Sequence, residues 1–258
     1  MVKKILYVLF SILILSLASF SPLGVHSYKV RTIVLDAGHG GKDPGCHGTT
    51  GIESKVTLAV ALQLGRIIKE NMPTMKVYYT RMTDNFIELH DRAGIANRNN
   101  ADLFVSIHCN SGPSSAFGTE TYVMGLHASE DNLEVAKREN EVVLGENDYQ
   151  KNYDGFDPKS PQTHILFSLY QNAYIENSIR MASKIENQFS NRLGRSSRGV
   201  KQAGFLVLWK TTMPSVLIEL GYLTNEAEER YLTNKNNQIY LASGIYRAIK
   251  EYKAEIEN

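Results

Sequence analysis

Residues 30–70 read VRTIVLDAGHGGKDPGCHGTTGIESKVTLAVALQLGRIIKE. The β-branched start, ended by Gly-rich turn chemistry, predicts a strand over Val30 to Leu35. From Ser54 to Glu70 the apolar residues Val56, Ala59, Val60, Leu64, Ile67 and Ile68 recur at helical spacing. The same alternation continues with a strand at Lys76 to Thr80, a helix at Ile87 to Asn99 and a strand at Leu103 to Ile107. An order β-α-β-α-β implies mostly parallel pairing. Thr119 to Met124, Phe205 to Trp209 and Ser215 to Glu219 add strands, and Ile239 to Ile256 forms an amphipathic terminal helix. Ser129 to about Asn191 reads as largely helical, interrupted at Asn152-Tyr153-Asp154-Gly155-Phe156-Asp157-Pro158. The expectation is a single α/β domain over 28–258: three layers, α/β/α, around a mostly parallel sheet of about six strands, with a helical insertion at 129–191.

The first residues are Met1-Val2-Lys3-Lys4, followed by an apolar run from Ile5 to Phe20 and a small-residue cleavage site near Val25-His26-Ser27. This is the pattern of a secretory signal peptide over 1–27, too short and serine-interrupted for a permanent span, so the expected product is exported with no stable membrane span. No cysteine follows the run to take a lipid. Loss of Lys3 and Lys4 reduces the 28 basic residues to 26 against 27 acidic, a formal charge of −1 that argues against nucleic acid as partner. Cys46 and Cys109 are the only cysteines. They do not make a disulfide framework or a C-x-x-C pair, and the ordinary reading is two small packed residues.

His39 and His108 each follow an apolar run, so both sit where a buried strand ends, a usual place for ligands in an open α/β sheet. Two histidines and a glutamate are a ligand set of open, catalytic zinc sites. Glu53, at the start of the helix, can complete that set. Glu219 ends the apolar run Val216-Leu217-Ile218 and is the candidate general base, its pKa raised by desolvation. Spacing alone leaves a second reading equally open, in which the strand-end histidines simply bond neighbouring carbonyls. His47, His90, His127 and His164 lack motif and partner and are read as surface or packing residues.

Several segments together carry a resemblance. Leu35-Asp36-Ala37-Gly38-His39-Gly40-Gly41-Lys42-Asp43-Pro44-Gly45, Gly51-Ile52-Glu53-Ser54-Lys55, Leu89-His90-Asp91-Arg92, Ala101 to Asn110, Arg198-Gly199-Val200-Lys201 and Pro214 to Asn225 resemble the zinc-dependent N-acetylmuramoyl-L-alanine amidases, in the same order over nearly the whole mature chain. The resemblance implies one zinc ion held by His39, Glu53 and His108, with Glu219 as catalytic glutamate. It also implies cleavage of peptidoglycan between the N-acetylmuramic acid lactyl group and the first L-alanine of the peptide stem. Asp36, Arg92 and Asn110 are candidates for orienting a ligand or holding substrate. A catalytically silent peptidoglycan-binding protein of the same fold, or a zinc peptidase cutting within the stem, are the rival readings.

The segment Val135-Ala136-Lys137-Arg138-Glu139-Asn140-Glu141, with Phe167 to Asn172, is similar to the insertion of cell-division amidases of two-membrane bacteria. That likeness implies a periplasmic protein in which a helix covers the zinc until an activator protein displaces it. It also implies that a glutamate of the helix fills the open coordination position. Glu139 aligns to the blocking residue; Glu134, Glu141 and Glu146 are the nearby alternatives.

Overall fold

The computed structural model describes residues 28–126, 129–168 and 173–257. The signal-peptide reading of 1–27 and the role of His127 lie outside the described residues. Six strands, β1 (Thr32–Ala37), β2 (Lys76–Tyr79), β3 (Leu103–Asn110), β4 (Thr119–Met124), β5 (Ser197–Ala203) and β6 (Ser215–Tyr222), form one sheet in the order β2-β1-β3-β6-β4-β5. All neighbours pair in parallel except β4 with β6. The chain from β3 to β4 contains no crossover helix, and a parallel return needs one.

Helices cover both faces. On one lie α1 (Glu53–Asn71), α6 (Ile175–Leu193) and α9 (Lys235–Glu257), packed on Ile33, Leu35, Val105, Ile107, Val216 and Ile218. On the other, α2 (Leu89–Arg98), α3 (Glu130–Asn140) and α7 (Leu206–Trp209) meet Val34, Phe104, Tyr122 and Leu217. Side chains alternate between the faces of a strand. The second face therefore carries, two residues beyond its apolar set or four along β3, Asp36, Ser106, His108, Glu219 and Glu120. One apolar rule thus gathers five buried polar residues on one side of the sheet.

Two elements differ from expectation. Phe205 to Trp209 is not a strand; Leu206–Trp209 is a single helical turn whose four residues are all buried beside α2. Short apolar runs do not discriminate between a buried strand and a buried helical turn. The sixth strand is instead Ser197–Ala203, a half-exposed edge whose polar sequence conceals it. The 129–191 segment also divides. Its last helix, α6, belongs to the first layer and packs on α9, whereas 129–168 lies over the second face as α3, a 3-10 turn (Glu141–Gly145), α4 (Tyr149–Asn152) and α5 (Pro161–Ser168).

The overlying segment is tied to the domain at the start of α2, whose N-cap Glu88 makes no capping bond of its own. Glu146 Oε1 accepts the Leu89 N–H at 2.8 Å, so a carboxylate from the insertion caps that helix. Tyr153 donates its hydroxyl to Glu146 and accepts the His90 N–H at 2.8 Å. The described residues are completed by α8 (Glu226–Thr233), beside the end of β6.

At that end the β3–β6 register slips by one residue, with His108 opposite Glu219 but Asn110 opposite Tyr222. Gly221 absorbs the bulge with φ 148°, and a Cβ there would stand 2.4 Å from Glu228 Oε2. Gly221→Ala should lower unfolding free energy by about 1–3 kcal/mol, measured by chemical denaturation; an unchanged midpoint would contradict the role given to the bulge.

Candidate metal centre

His39 follows β1 directly and takes φ 60°, a left-handed conformation that its surroundings must enforce. Arg92 Nη2 donates to the His39 carbonyl at 3.0 Å, and His39 Nδ1 lies 2.8 Å from Asp43 Oδ2. A proton on Nδ1, donated to Asp43, leaves Nε2 as a lone-pair donor facing inward. Glu53 is the first residue of α1, and each of its oxygens accepts one backbone N–H: Oε2 from Cys46 and Oε1 from Cys109, both at 2.8 Å. Gly45 makes room for it, since a Cβ there would lie 2.6 Å from Glu53 Oε2.

His39 Nε2 lies 3.0 Å from Glu53 Oε1, and His108 Nδ1 lies 3.2 Å from the same oxygen. Glu139 Oε2, from α3, stands 3.2 Å from His39 Nε2 and 3.1 Å from His108 Nδ1. Yet His39 Nε2 and Glu139 Oε2 are buried without a hydrogen-bond partner among the described residues. Four donor atoms are in close contact but two of them are misaligned for bonding one another, which is the arrangement of ligands around a common point. Ligand atoms about a tetrahedral zinc with bonds of about 2.0–2.1 Å stand roughly 3.3 Å apart. The two-nitrogen, two-oxygen set fits such an ion.

The electrostatics agree. Burial alone would lower the pKa of His108, but the Glu139 carboxylate reverses this and pushes it up to about 9. Burial likewise opposes, and Glu53 with Asp43 and Glu139 overcomes, a shift of His39 well above its usual value. Despite burial, Glu53 is held far below the carboxylate range by His39, and Glu139 by His108. A site that retains protons this strongly has the field to retain a divalent cation instead.

Glu219 stands on β6 opposite His108, on the same face. It is completely buried, neither oxygen has a hydrogen-bond partner among the described residues, and Arg138 Nη2 is 3.9 Å away. Burial, then repulsion from Glu139, raises its pKa well above the usual value. A raised pKa is the direction in which a carboxyl becomes a better proton acceptor.

The family model described as N-acetylmuramoyl-L-alanine amidase matches residues 33–251. The chain belongs to this family. Among its relatives, the amidase AmiA of Escherichia coli strain K12 is 32% identical over 229 residues, covering 86% of this chain and 76% of that protein. An uncharacterized protein of Bacillus subtilis strain 168, YqiI, is 34% identical over 222 residues, covering 86% and 84%. The solved catalytic domain of CwlV, an amidase from Bacillus (Paenibacillus) polymyxa, aligns with a TM-score of 0.63 and 32% identity over 86% of this chain and 97% of that one. Membership makes the chain an enzyme that hydrolyses peptidoglycan as an N-acetylmuramoyl-L-alanine amidase.

Within this amidase, Asp36 and Arg92 lie beneath the histidine loop rather than in a cleft. Asp36 accepts from Thr80, Ser106 and Arg92, and Arg92, 1% exposed, also donates to the carbonyls of Ile87, Ala37 and His39. Both hold the loop that carries His39. Asn110 lies at the end of β3, where its Oδ1 accepts from Arg138 Nη2 at 2.9 Å. His47 sits in a small bridge with Ile52, and His164 Nε2 lies 2.9 Å from the Pro158 carbonyl. Glu88, His90 and Glu146 form a second group with metal-like spacing, but the Glu146 oxygens are taken by Leu89 and Tyr153. Cys46 and Cys109 are free thiols that burial pushes upward, away from thiolate chemistry.

Three functional residues escape sequence reading. Asp43 sits inside the quoted motif, four residues after His39, and its role emerges only when the loop folds back. Arg138 donates to Glu139 at 3.0 Å and thereby steadies the charge beside Glu219. Glu120 gathers five donors at the far side of β6. Replacing Asp43 with alanine should weaken metal affinity about 10–100-fold, the usual effect of losing a ligand's hydrogen-bond partner. Competition with a chromophoric chelator reads this, and unaltered affinity would remove Asp43 from the site.

Proposed function

We propose that this amidase binds one zinc ion through His39, Glu53 and His108, and cleaves the lactyl–L-alanine amide with Glu219 as general base and then general acid. When bound, zinc supplies a Lewis acid that polarises the scissile carbonyl and makes water acidic. The remaining work falls to the chain. Glu219, desolvated and next to His108, takes the proton of the attacking water and returns it to the departing alanine nitrogen. Asp43 keeps His39 in the tautomer that presents Nε2, and Arg92 fixes its backbone.

The protein is proposed to be autoinhibited by Glu139. The observation that carries this reading is the position of Glu139 Oε2 within 3.2 Å of both histidine nitrogens. A fourth protein ligand takes the place needed for water. Helix α3 puts it there because Asn132, Val135, Ala136, Glu139 and Asn140 share its buried stripe, with Ser129 capping the start and Asn140 bonding Gly204 and Leu206 at the end. Of the alternatives, Glu134 and Glu141 are exposed and Glu146 caps α2.

Activation then requires α3 to move. We take the agent to be a partner protein at the cell wall, which a domain exported by the segment 1–27 into the periplasm would meet. A cavity of about 520 Å³, lined by His39, Phe86, Arg138 and Glu139, lies beside the blocked centre and widens toward it when α3 leaves.

Glu139→Ala should raise hydrolysis of purified sacculi by roughly tenfold or more, equivalent to about 1.4 kcal/mol of released blockade. A rate equal to or below the parent's would remove the blockade. In that background Glu219→Gln should reduce turnover by about 10²–10⁴-fold, with products identified by mass spectrometry as intact stems bearing a free L-alanine amino group. Cuts inside the stem would replace the amidase with a peptidase.

A further inference from the structure

A second cavity, of about 340 Å³, lies on the other side of α3 from the first, and Ser111 and Arg138 line both. Helix α3 is the partition, so its departure joins the two into one groove. The second cavity is lined by Asn110 of β3, Tyr222 of β6, Glu120 of β4 and Arg198 and Lys201 of β5, and the strand order β3-β6-β4-β5 sets these residues in a row leading away from His108.

Glu120 explains why two cations stand there. It is 1% exposed and accepts Arg198 Nε at 2.8 Å, Lys201 Nζ, the hydroxyls of Tyr122 and Tyr222, and Asn110 Nδ2 at 3.3 Å. Arg198 bonds it through Nε alone among the described residues, which leaves both Nη groups for a ligand. The guanidinium is positioned over the Tyr222 ring at 5.5 Å, and the side chain is 38% exposed. The domain's own share of the cavity therefore has one positive charge in excess, presented as the two-pronged donor that matches a carboxylate. The opposite wall belongs to α3 and offers Asp131, Glu134 and Arg138, with Glu134 paired to Lys137.

We propose that Arg198, held with Lys201 by Glu120, is a specificity-determining subsite for a free carboxylate of the stem peptide on the departing side of the scissile amide. This rests on the amidase reading. The substrate's chemistry selects the ligand: the lactyl carboxyl is consumed in the amide that is cut and the N-acetyl sugars are neutral. The stem is the part of the substrate that bears carboxylates. The span also fits. Two to three strand spacings of about 4.8 Å separate β3 from Glu120 and β5, roughly 10–15 Å. An extended peptide covers that in about three or four residues.

The test compares two N-acetylmuramoyl tetrapeptides of one sequence, with stem carboxylates either free or converted to carboxamides, using the zinc-loaded full chain carrying Glu139→Ala. The acid substrate should exceed the amide by about tenfold or more in kcat/KM, mainly through KM. Adding Arg198→Gln should bring the ratio toward one, and Arg198→Lys should restore part of it. Equal use of both substrates while Arg198 is intact overturns the proposal, and it needs no second folded variant. So does an undiminished ratio in Arg198→Gln. If neither substrate is cut, the amidase reading fails, and calorimetry with the free tetrapeptides decides the subsite: preference for the acid sustains it, and equal or absent binding ends it.

Discussion

Two carboxylates and two imidazoles meet in a space almost closed to water, and the rest of the molecule is arranged around keeping them there. Buried acids usually neutralise themselves, and buried imidazoles usually lose their proton. Glu53 and Glu139 remain far on the ionised side, and His39 and His108 far on the protonated side, because each sign supports the other across 3.0–3.2 Å. A divalent cation set among the four groups would balance the two acids and leave both imidazoles to donate lone pairs. Glu219, just outside the balance, is driven the other way by burial and by Glu139.

The sheet supplies the precision. Parallel β1, β3 and β6 end together, and alternation turns Asp36, His108 and Glu219 toward one layer. Asp36 holds Arg92, Arg92 holds the backbone of His39, and Asp43 holds its ring. The insertion over the same face is fastened through Glu146 and Tyr153 to the start of α2, some distance from the centre it covers. Its hold is therefore spread over that helix cap, the bonds of Asn140 to Gly204 and Leu206 and of Arg138 to Asn110, and the apolar contacts of Val135, Ala136 and Val143.

Much of this was legible in the chain. The strand-loop-helix reading of 30–70, strand β4 and the place of His39 directly after β1 follow from apolar runs bounded by turn residues, whereas β3 continues past Ile107 to Asn110 and so carries His108 within the strand. β5 escapes a reading by apolar pattern because Ser197–Ala203 is a polar edge, and Phe205 to Trp209 reads as a strand because a buried helical turn is as apolar as a buried strand. Glu139 could have been separated from Glu134 and Glu141 by helical spacing alone, since it falls three residues after Ala136 and four after Val135 on the buried stripe. Asp43, Arg138 and Glu120 could not be assigned in this way. Their partners lie on other segments or across a turn, and only the folded chain places them.

The central claim is that Glu139 is the fourth ligand of a metal ion held by His39, Glu53 and His108. A crystal structure of the zinc-loaded chain, with anomalous data on both sides of the zinc edge, tests it without relying on activity. The account predicts one zinc bound by four protein atoms, a Glu139 oxygen among them at about 2.0–2.2 Å. A zinc whose fourth position holds water while Glu139 faces solvent would contradict it.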